Sequence, residues 1–281
     1  MQILTDIESM RRALAEARRT AQGPFGLVPT MGALHAGHLS LAARARAECA
    51  TVVATIFVNP LQFGPNEDFS RYPRQTDADC AAFAAAGVDL VFLPSAAEMY
   101  PTGATTTVDV GLLAERLDGR SRPGHFRGVA TVVAKLFHIV GPDRAYFGQK
   151  DAAQLAVLRR MVRDLDFAVE VIACPIVRDP DGLALSSRNA FLSADERERA
   201  LTLSQTLKSI ESAVMAGERD AARLLGAARA GLLAGGKVEL DYLEAVDPHT
   251  LENVSWVDPG TLIAIAANVG RTRLIDNLLA P

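Results

Sequence analysis

The chain has 281 residues, of which 49% are hydrophobic and 22% charged, and its formal net charge is −4. This is an ordinary globular composition, long enough for one large α/β domain or two unequal domains, and the acidic balance offers no footprint for a nucleic-acid backbone. Its three cysteines form no CxxC pair, which argues against a disulfide framework or a structural zinc and suits a reducing cytoplasm. The first 19 residues lack the continuous apolar core of a signal peptide and no apolar run could cross a bilayer, so we expect a cytoplasmic protein without a membrane partner.

The first part of the chain alternates strands and helices. Residues 1–19 predict an amphipathic helix, capped by Thr5 or Asp6. Strands are then predicted at 25–28, 51–58, 88–93, 145–147 and 169–176, with a further candidate at 105–110. Helices are predicted at 39–49, 77–86, 112–117, 128–140 and 152–165. At least four βα alternations predict a doubly wound, Rossmann-like parallel sheet, in which 51–58 could be a central strand or an edge at a dimer interface.

The pattern changes after Val177. A turn-rich connection leads to two predicted helices, at 195–215 and 219–233. Strand-like runs at 238–246, 262–269 and 272–278 complete a smaller α+β part. We therefore predict two domains, 1–177 and 178–281.

The turn between the strand at 25–28 and the helix at 39–49 carries His35 and His38, with Gly37 between them. A strand, a glycine-containing turn and a helix start form a geometry that binds phosphate, because unpaired backbone N–H groups and the positive end of the helix dipole meet there. Histidine can exchange a proton near neutral pH, so both rings suit a site for a phosphate leaving group. Two exposed polar histidines in a simple βα turn are the alternative.

Two later turns supply groups of the same kind. Lys150 follows Gly148 after a strand and provides a point charge. Ser186, Ser187 and Arg188 provide two hydroxyls and a planar fork, which also suit phosphate oxygens. Each residue alone is more often an ordinary surface or turn residue. Their placement in turns, in this order, favours a nucleotide triphosphate site.

Several motifs carry a family resemblance. PTMGALHAGHLSL resembles the HxGH signature of the nucleotidyltransferase superfamily, and LSSRN resembles its KMSKS-like motif. A fuller set occurs in order: PTMGALHAGH, FVNPLQFGPNEDFSRYPR, RPGHFRGVATVV, FGQKD and DGLALSSRN. Together these resemble the pantothenate synthetase family, the pantoate–β-alanine ligases, over most of residues 25–190.

The resemblance implies an ATP-dependent ligase that makes pantoyl adenylate and pyrophosphate, then transfers the pantoyl group to β-alanine and releases AMP. It also implies Mg²⁺ and a homodimer. The ATP contacts that it implies are Met31, Gly32, Ala33, Leu34, His35, Ala36, Gly37, His38, Gly148, Gln149, Lys150, Asp151, Val177, Leu185, Ser186, Ser187 and Arg188. Among these it gives catalytic roles to His38, as proton donor to the leaving phosphate, and to His35, Lys150, Ser186, Ser187 and Arg188.

The resemblance places pantoate between Gln62 and Gln154. It implies pocket or support positions at Asn59, Tyr72, Asp79, Arg122 and His125. The magnesium ligands stay open, with Asp79 or Asp151 assisting through water. The smaller domain is expected to close over the reactive intermediate as a lid.

Three other functions compete with the ligase. A nucleotidyltransferase acting on another small metabolite would keep the HxGH turn, but it has no need of Gln62 and Gln154 as a set. An aminoacyl-tRNA synthetase fragment would share both signatures, but the acidic charge and the lack of a basic appended segment count against it. A non-catalytic nucleotide-binding regulator would tolerate replacement of His38.

Overall fold

The large sheet is parallel and has helices on both faces. The computed structural model describes residues 1–65, 67–234 and 238–281. The strands of the sheet are β1 (Gln2–Leu4), β2 (Phe25–Thr30), β3 (Thr51–Ile56), β4 (Leu90–Phe92), β5 (Arg144–Gly148) and β6 (Glu170–Cys174). They lie in the order β1-β4-β3-β2-β5-β6, and each neighbouring pair is parallel.

The helices are α1 (Ile7–Thr20), α2 (Ala36–Glu48), α3 (Thr76–Ala85), α4 (Ala96–Met99), α5 (Asp118–Ser121), α6 (His125–Val140), α7 (Ala152–Asp164), α8 (Ala194–Met215) and α9 (Ala221–Ala234). Leu27 and Val53 point from the sheet into a core with α1, α6 and α7. Val28 and Ala54 point to the other face, into a core with α2 and α3. The predicted doubly wound sheet is therefore confirmed, and β3 is a central strand.

Three predictions about local structure were wrong. Residues 2–4 are not helical but form the edge strand β1, because the Asp6 side chain accepts the Ser9 N–H and starts α1 only at Ile7. Residues 105–110 form no strand, and there the Val108 N–H donates to the Thr131 hydroxyl instead. The predicted helix at 112–117 is a 3-10 turn, Gly111–Glu115.

The C-terminal part forms a second, antiparallel sheet. Its strands β7 (Glu239–Val246), β8 (Leu262–Val269) and β9 (Thr272–Leu279) lie in that order. Ile263 and Ile265 of β8 pack with α8 and α9, whereas Ala264 and Ala266 join the core beneath the large sheet. The smaller α+β part is confirmed. The domain boundary at 177/178 stays a prediction.

The large sheet separates at the carboxyl ends of β2 and β5. Strand β2 pairs with β3 along its whole length, but with β5 only at Gly26 and Leu27. The Phe25 carbonyl accepts the N–H of Asp143, next to β5, and the Thr30 carbonyl accepts the N–H of Phe57, next to β3. Because the backbone groups of successive residues point to opposite sides of a strand, Pro29 points the same way as Phe25 and faces the gap. Proline has no N–H, so the strands part without leaving an unpaired donor there. A cleft opens at this switch point of the sheet order, the usual place for a ligand in such folds.

No helix within 1–65, 67–234 or 238–281 has the length and hydrophobicity needed to span a membrane.

Candidate active site

A cavity of about 230 Å³ lies in this cleft. The predicted site residues that line it are Met31, His35, Gly37, His38, Gln62, Gly148, Lys150, Asp151, Gln154, Val177, Leu185, Ser186, Ser187 and Arg188. Asn59, Tyr72, Arg122 and His125 line it as well. Segments that are far apart in the chain therefore meet around one cavity.

The two histidines cap the start of α2 together. His35 is the N-cap residue, and its Nδ1 accepts the Gly37 N–H at 3.1 Å, while the Nδ1 of His38 accepts the His35 N–H at 3.4 Å. Their ring centroids are 4.1 Å apart. A Cβ on Gly37 would lie 2.8 Å from the His35 ring, so this glycine is required for the ring to fold back over the turn.

These contacts determine the tautomers of the neutral rings. Because each Nδ1 accepts a backbone N–H, the proton of each neutral ring is on Nε2, which remains a donor. Burial, followed by the charge of His35, lowers the pKa of His38 to about 3. Burial and the charge of Lys150 also lower the pKa of His35. Both rings are therefore neutral hydrogen-bond donors at pH 7, whereas an ordinary histidine pKa would make His38 a ready proton donor.

Asp79 holds the histidine turn from behind. Its two carboxylate oxygens accept the N–H groups of Ala33 and Leu34, each at 2.8 Å, and the carboxylate is buried. These two N–H groups are therefore paired within the protein. Gly32, Ala33, Leu34 and Ala36 are not among the residues that line the cavity, and their role as ATP contacts stays a prediction.

The turn after β5 presents Lys150 to the cavity and directs Gln149 away from it. The Lys150 ammonium lies 3.6 Å from the Asp151 carboxylate, and its side chain is 19% exposed. Gln149 instead donates from Nε2 to Asn277 of β9 at 3.2 Å. The side chain of Gln149 is therefore engaged away from the cavity, and its predicted place among the ATP contacts stays a prediction.

Residues 185–188 lie against the large sheet's loops. The Ser187 hydroxyl donates to the Ala33 carbonyl at 3.1 Å. Arg188 forms a two-bond fork with Asp68, at 2.9 and 3.0 Å. Burial opposes ionisation of Asp68, but this fork outweighs it and lowers the pKa of Asp68. Residues 185–188 are thus held in the cavity lining by contacts with the loops after β2 and β3.

Gln62 is oriented by its neighbours at the other side. Its Oε1 accepts from Asn59 at 3.1 Å and its Nε2 contacts the Met31 sulfur at 2.9 Å. The Gln62 carbonyl accepts from His125 Nδ1 at 2.8 Å. His125 Nε2 is then the acceptor for Arg122, and burial followed by the charge of Arg122 lowers the pKa of His125 to about 4.

The remaining wall of the cavity is apolar. It comes from one face of α6, with side chains Val129, Val132, Val133 and Leu136.

Two adjacent acidic residues hold the two arginines of the site. Glu67 forms a fork with Arg122 at 2.7 and 2.5 Å, and Asp68 forms the fork with Arg188 described above. Sequence reasoning missed these two acidic residues and Asn277. The NED run in the loop after β3 was the available signal for the acidic pair.

The donor set for a metal is sparse. Asp151 is the one carboxylate that lines the cavity among the described residues. No group of three or more His, Cys, Asp or Glu side chains suited to a metal occurs in 1–65, 67–234 and 238–281. Such a set fits Mg²⁺ bound mainly by phosphate oxygens and water, as is usual for this ion beside a nucleotide.

Comparison with known proteins identifies the family. The pantoate-beta-alanine ligase family model matches residues 2–279. The chain belongs to the pantoate–β-alanine ligase family. A pantothenate synthetase from Acidobacterium capsulatum is 65% identical over 91% of this chain and 85% of its own length.

Solved structures of pantoate–β-alanine ligases share the fold. The pantothenate synthetase of Thermus thermophilus matches with a TM-score of 0.95 and 48% identity, covering 100% of both chains. The Francisella tularensis pantoate-beta-alanine ligase, in a complex with beta-gamma ATP and β-alanine, matches with a TM-score of 0.80 and 34% identity over 99% of this chain and 97% of that one. The chain is thus an enzyme of the ligase family, and another small-metabolite nucleotidyltransferase is not favoured.

Proposed function

We propose that this chain condenses pantoate with β-alanine at the expense of ATP, through a pantoyl-adenylate intermediate. The observation that carries the proposal is the convergence of the histidine turn, Lys150 and residues 185–188 with the two amides Gln62 and Gln154 around one cavity. The family match supports the substrates.

In the first step, a pantoate carboxylate oxygen attacks the α-phosphorus of ATP, and the bond to the β-phosphate oxygen breaks. Lys150 and Arg188 supply positive charge for the departing pyrophosphate. The Nε2–H groups of His35 and His38 donate hydrogen bonds to phosphate oxygens in which negative charge increases. In this proposal His38 stabilises the leaving group as a neutral donor, which modifies the proton-donor role implied by the family resemblance.

Pantoate has a carboxylate, two hydroxyls and a carbon that bears two methyl groups. The amides of Gln62 and Gln154 can donate to and accept from the polar groups without a strong charge. The methyl groups suit the apolar wall formed by Val129, Val132, Val133 and Leu136. The cavity lining therefore supports a small branched hydroxy acid beside ATP.

In the second step, the neutral amine of β-alanine attacks the carbonyl carbon of pantoyl adenylate, and AMP leaves with the bonding electrons. The attacking nitrogen releases a proton to water as the amide forms. Water would hydrolyse the intermediate, so the site must be covered. The contacts of Ser187 and Arg188 with Ala33 and Asp68 support residues 185–188 as part of that cover.

Mg²⁺ is part of the proposal. Asp151, a carboxylate of the cavity lining, would hold it through water beside the ATP phosphates, and the ion would neutralise phosphate charge when bound. Asp79 is unsuited to this role, because both of its oxygens accept backbone N–H groups behind the turn.

We also propose a cytoplasmic homodimer, as the family resemblance implies. Sedimentation equilibrium at micromolar protein tests the dimer, and a single 30.0 kDa species would contradict it.

The test of function measures pyrophosphate release from ATP and Mg²⁺ with pantoate alone, and then AMP release after β-alanine is added. We expect a stoichiometric pyrophosphate burst with pantoate and steady turnover with both substrates. Absence of a burst with pantoate, together with release for another small acid, would reject the substrate assignment.

A further inference from the structure

Asn277 of β9 lies behind Lys150, outside the cavity lining. We propose that Asn277 is a positioning residue for ATP, because it fixes the two peptide groups that flank Lys150 and so directs the Lys150 ammonium toward the phosphates. The expected effect on adenylation rests on the proposed function, but the expected effect on binding of an ATP analogue does not.

The Asn277 side chain is bonded at both of its polar atoms. Its Nδ2 donates to the Gln149 carbonyl at 3.0 Å and to the Lys150 carbonyl at 2.9 Å. Its Oδ1 accepts from Gln149 Nε2 at 3.2 Å. Asn277 is 3% exposed, so little water competes for these bonds.

The two carbonyls lie on either side of the Lys150 Cα. Fixing both restricts the φ and ψ of Lys150, and these angles determine where its side chain leaves the backbone. Gln149–Asp151 form a single 3-10 turn before α7, and Asp151 makes no side-chain cap bond to α7, so no side chain of the turn itself reinforces its backbone bonds. The orientation of Lys150 therefore depends on a residue 127 positions later in the chain.

Strand β9 is itself anchored at this point. Asp276 is buried and forms a two-bond fork with Arg178, at 2.6 and 2.8 Å, and also accepts the Asn277 N–H at 2.8 Å. Arg178 pairs with Ala184 at the base of the hairpin that leads into Leu185. Two adjacent residues of β9 thus hold two segments of the proposed ATP site: Asn277 holds the turn at Lys150, and Asp276 holds Arg178 at the base of the hairpin before Leu185. Gln62 is held separately, by Asn59 and Met31.

The test compares Asn277→Ala with Asn268→Ala as a matched control. Asn268 lies in β8 of the same sheet, and its side chain has no hydrogen bond to the residues that the structure describes. Calorimetry measures binding of a non-hydrolysable ATP analogue with Mg²⁺, and the pyrophosphate burst measures adenylation. We expect Asn277→Ala to weaken analogue binding by about tenfold or more and to slow the burst, since small misplacements of a charged group have effects of this size.

A general loss of structure would give a different pattern. We expect the pantoate KM at saturating ATP, and the rate at which β-alanine consumes preformed pantoyl adenylate, to stay within about twofold of wild type, because only ATP positioning changes. Unchanged analogue binding in Asn277→Ala, or a parallel loss of every parameter, would overturn the proposal.

Gln149→Ala provides a second variant that leaves β9 intact. It removes the donor that orients Asn277, so we expect a smaller loss of analogue binding that disappears in the Asn277→Ala background. Additive losses would contradict the proposed linkage. If wild type gave no burst with pantoate but Asn277→Ala still weakened analogue binding, the proposed function would be rejected and the positioning role of Asn277 would be supported.

Discussion

At the scale of single residues, the histidine turn combines two functions. His35 and His38 satisfy backbone donors at the start of α2 through Nδ1, and the same bonds leave Nε2–H as the donor of each neutral ring. Both rings line the cavity. One pair of side chains therefore starts the helix and presents its remaining hydrogens to the site.

Two substitutions of His38 separate a hydrogen-bond donor from a proton donor. His38→Gln can place an amide N–H near the position of Nε2, whereas His38→Asn keeps an acceptor near Nδ1 and offers no donor at the far side. We expect His38→Gln to retain adenylation well above His38→Asn, with the latter reduced about 100-fold or more. Pyrophosphate burst rates test this. Equal, near-complete loss in both variants would favour transfer of a proton.

The low pKa of His38 also affects stability. In the unfolded chain a histidine has a pKa of about 6.5, but in the native protein that of His38 is lowered to about 3. Below pH 6.5 the unfolded state binds a proton that the native state does not, so the free energy of unfolding falls as the pH falls. For this one group the loss between pH 7 and pH 5 should be roughly 2 kcal/mol.

Urea denaturation of wild type and His38→Asn at pH 7 and pH 5 measures this contribution. The variant should lose roughly 2 kcal/mol less between the two pH values. If the free energy of unfolding fell by the same amount in wild type and His38→Asn, the buried neutral imidazole of His38 would be contradicted.

At the scale of elements, Gln62 depends on how closely its turn approaches α6. A Cβ on Gly128 would lie 2.2 Å from the Leu61 carbonyl oxygen and 2.7 Å from the Gln62 nitrogen. Asn59 also donates to the Gly128 carbonyl at 3.1 Å. The helix and the turn therefore pack backbone to backbone, which only glycine at position 128 permits.

Gly128→Ala should push the turn away and displace Gln62 from pantoate. We expect the pantoate KM to rise about tenfold or more, because a shift of about 1 Å at a binding group has large kinetic effects. Steady-state kinetics with saturating ATP and β-alanine provide the measurement. Gly226→Ala in α9 is the control, since nothing lies within 4 Å of its Cβ position; wild-type KM in Gly128→Ala would contradict the role of this contact.

Much of this arrangement could be predicted from sequence, because the carboxyl ends of parallel strands share one edge. That rule brings His38 and Lys150 together from separate turns. It does not find Asp68 for Arg188, 120 positions away, or Asn277 for Lys150. Asp68 is an acidic loop residue and Asn277 lies in an amphipathic strand, and neither belongs to a local sequence pattern from which its distant partner can be predicted.

At the scale of the whole molecule, the two sheets share a core. Ala264 and Ala266 of β8 pack in the same cluster as Leu27 and Val53 of the large sheet, while Ile263 and Ile265 pack with α8 and α9. A lid movement of the whole smaller part would have to keep or shear these apolar contacts. The lid role stays a prediction, which interdomain distances with and without ATP and pantoate would test.

The core that the two sheets share through β8 predicts one cooperative unfolding transition. Ile265→Ala, on the side of α8 and α9, should destabilise the whole protein by about 2–5 kcal/mol, because a fully buried side chain leaves a cavity. Scanning calorimetry should show a single peak that shifts to lower temperature. Two separated peaks, with only one shifted by the substitution, would show that the two parts unfold independently.

Pro29 has a consequence for the competition between nucleophiles. Any other residue at this position would direct an N–H group into the gap beside β5, and that donor would need a water molecule or a ligand as its partner. Proline takes this anchoring point away from water at a wall that the cavity touches. For the activity proposed above, one hydrogen-bond donor fewer on this wall means one binding site fewer for water that would compete with the amine.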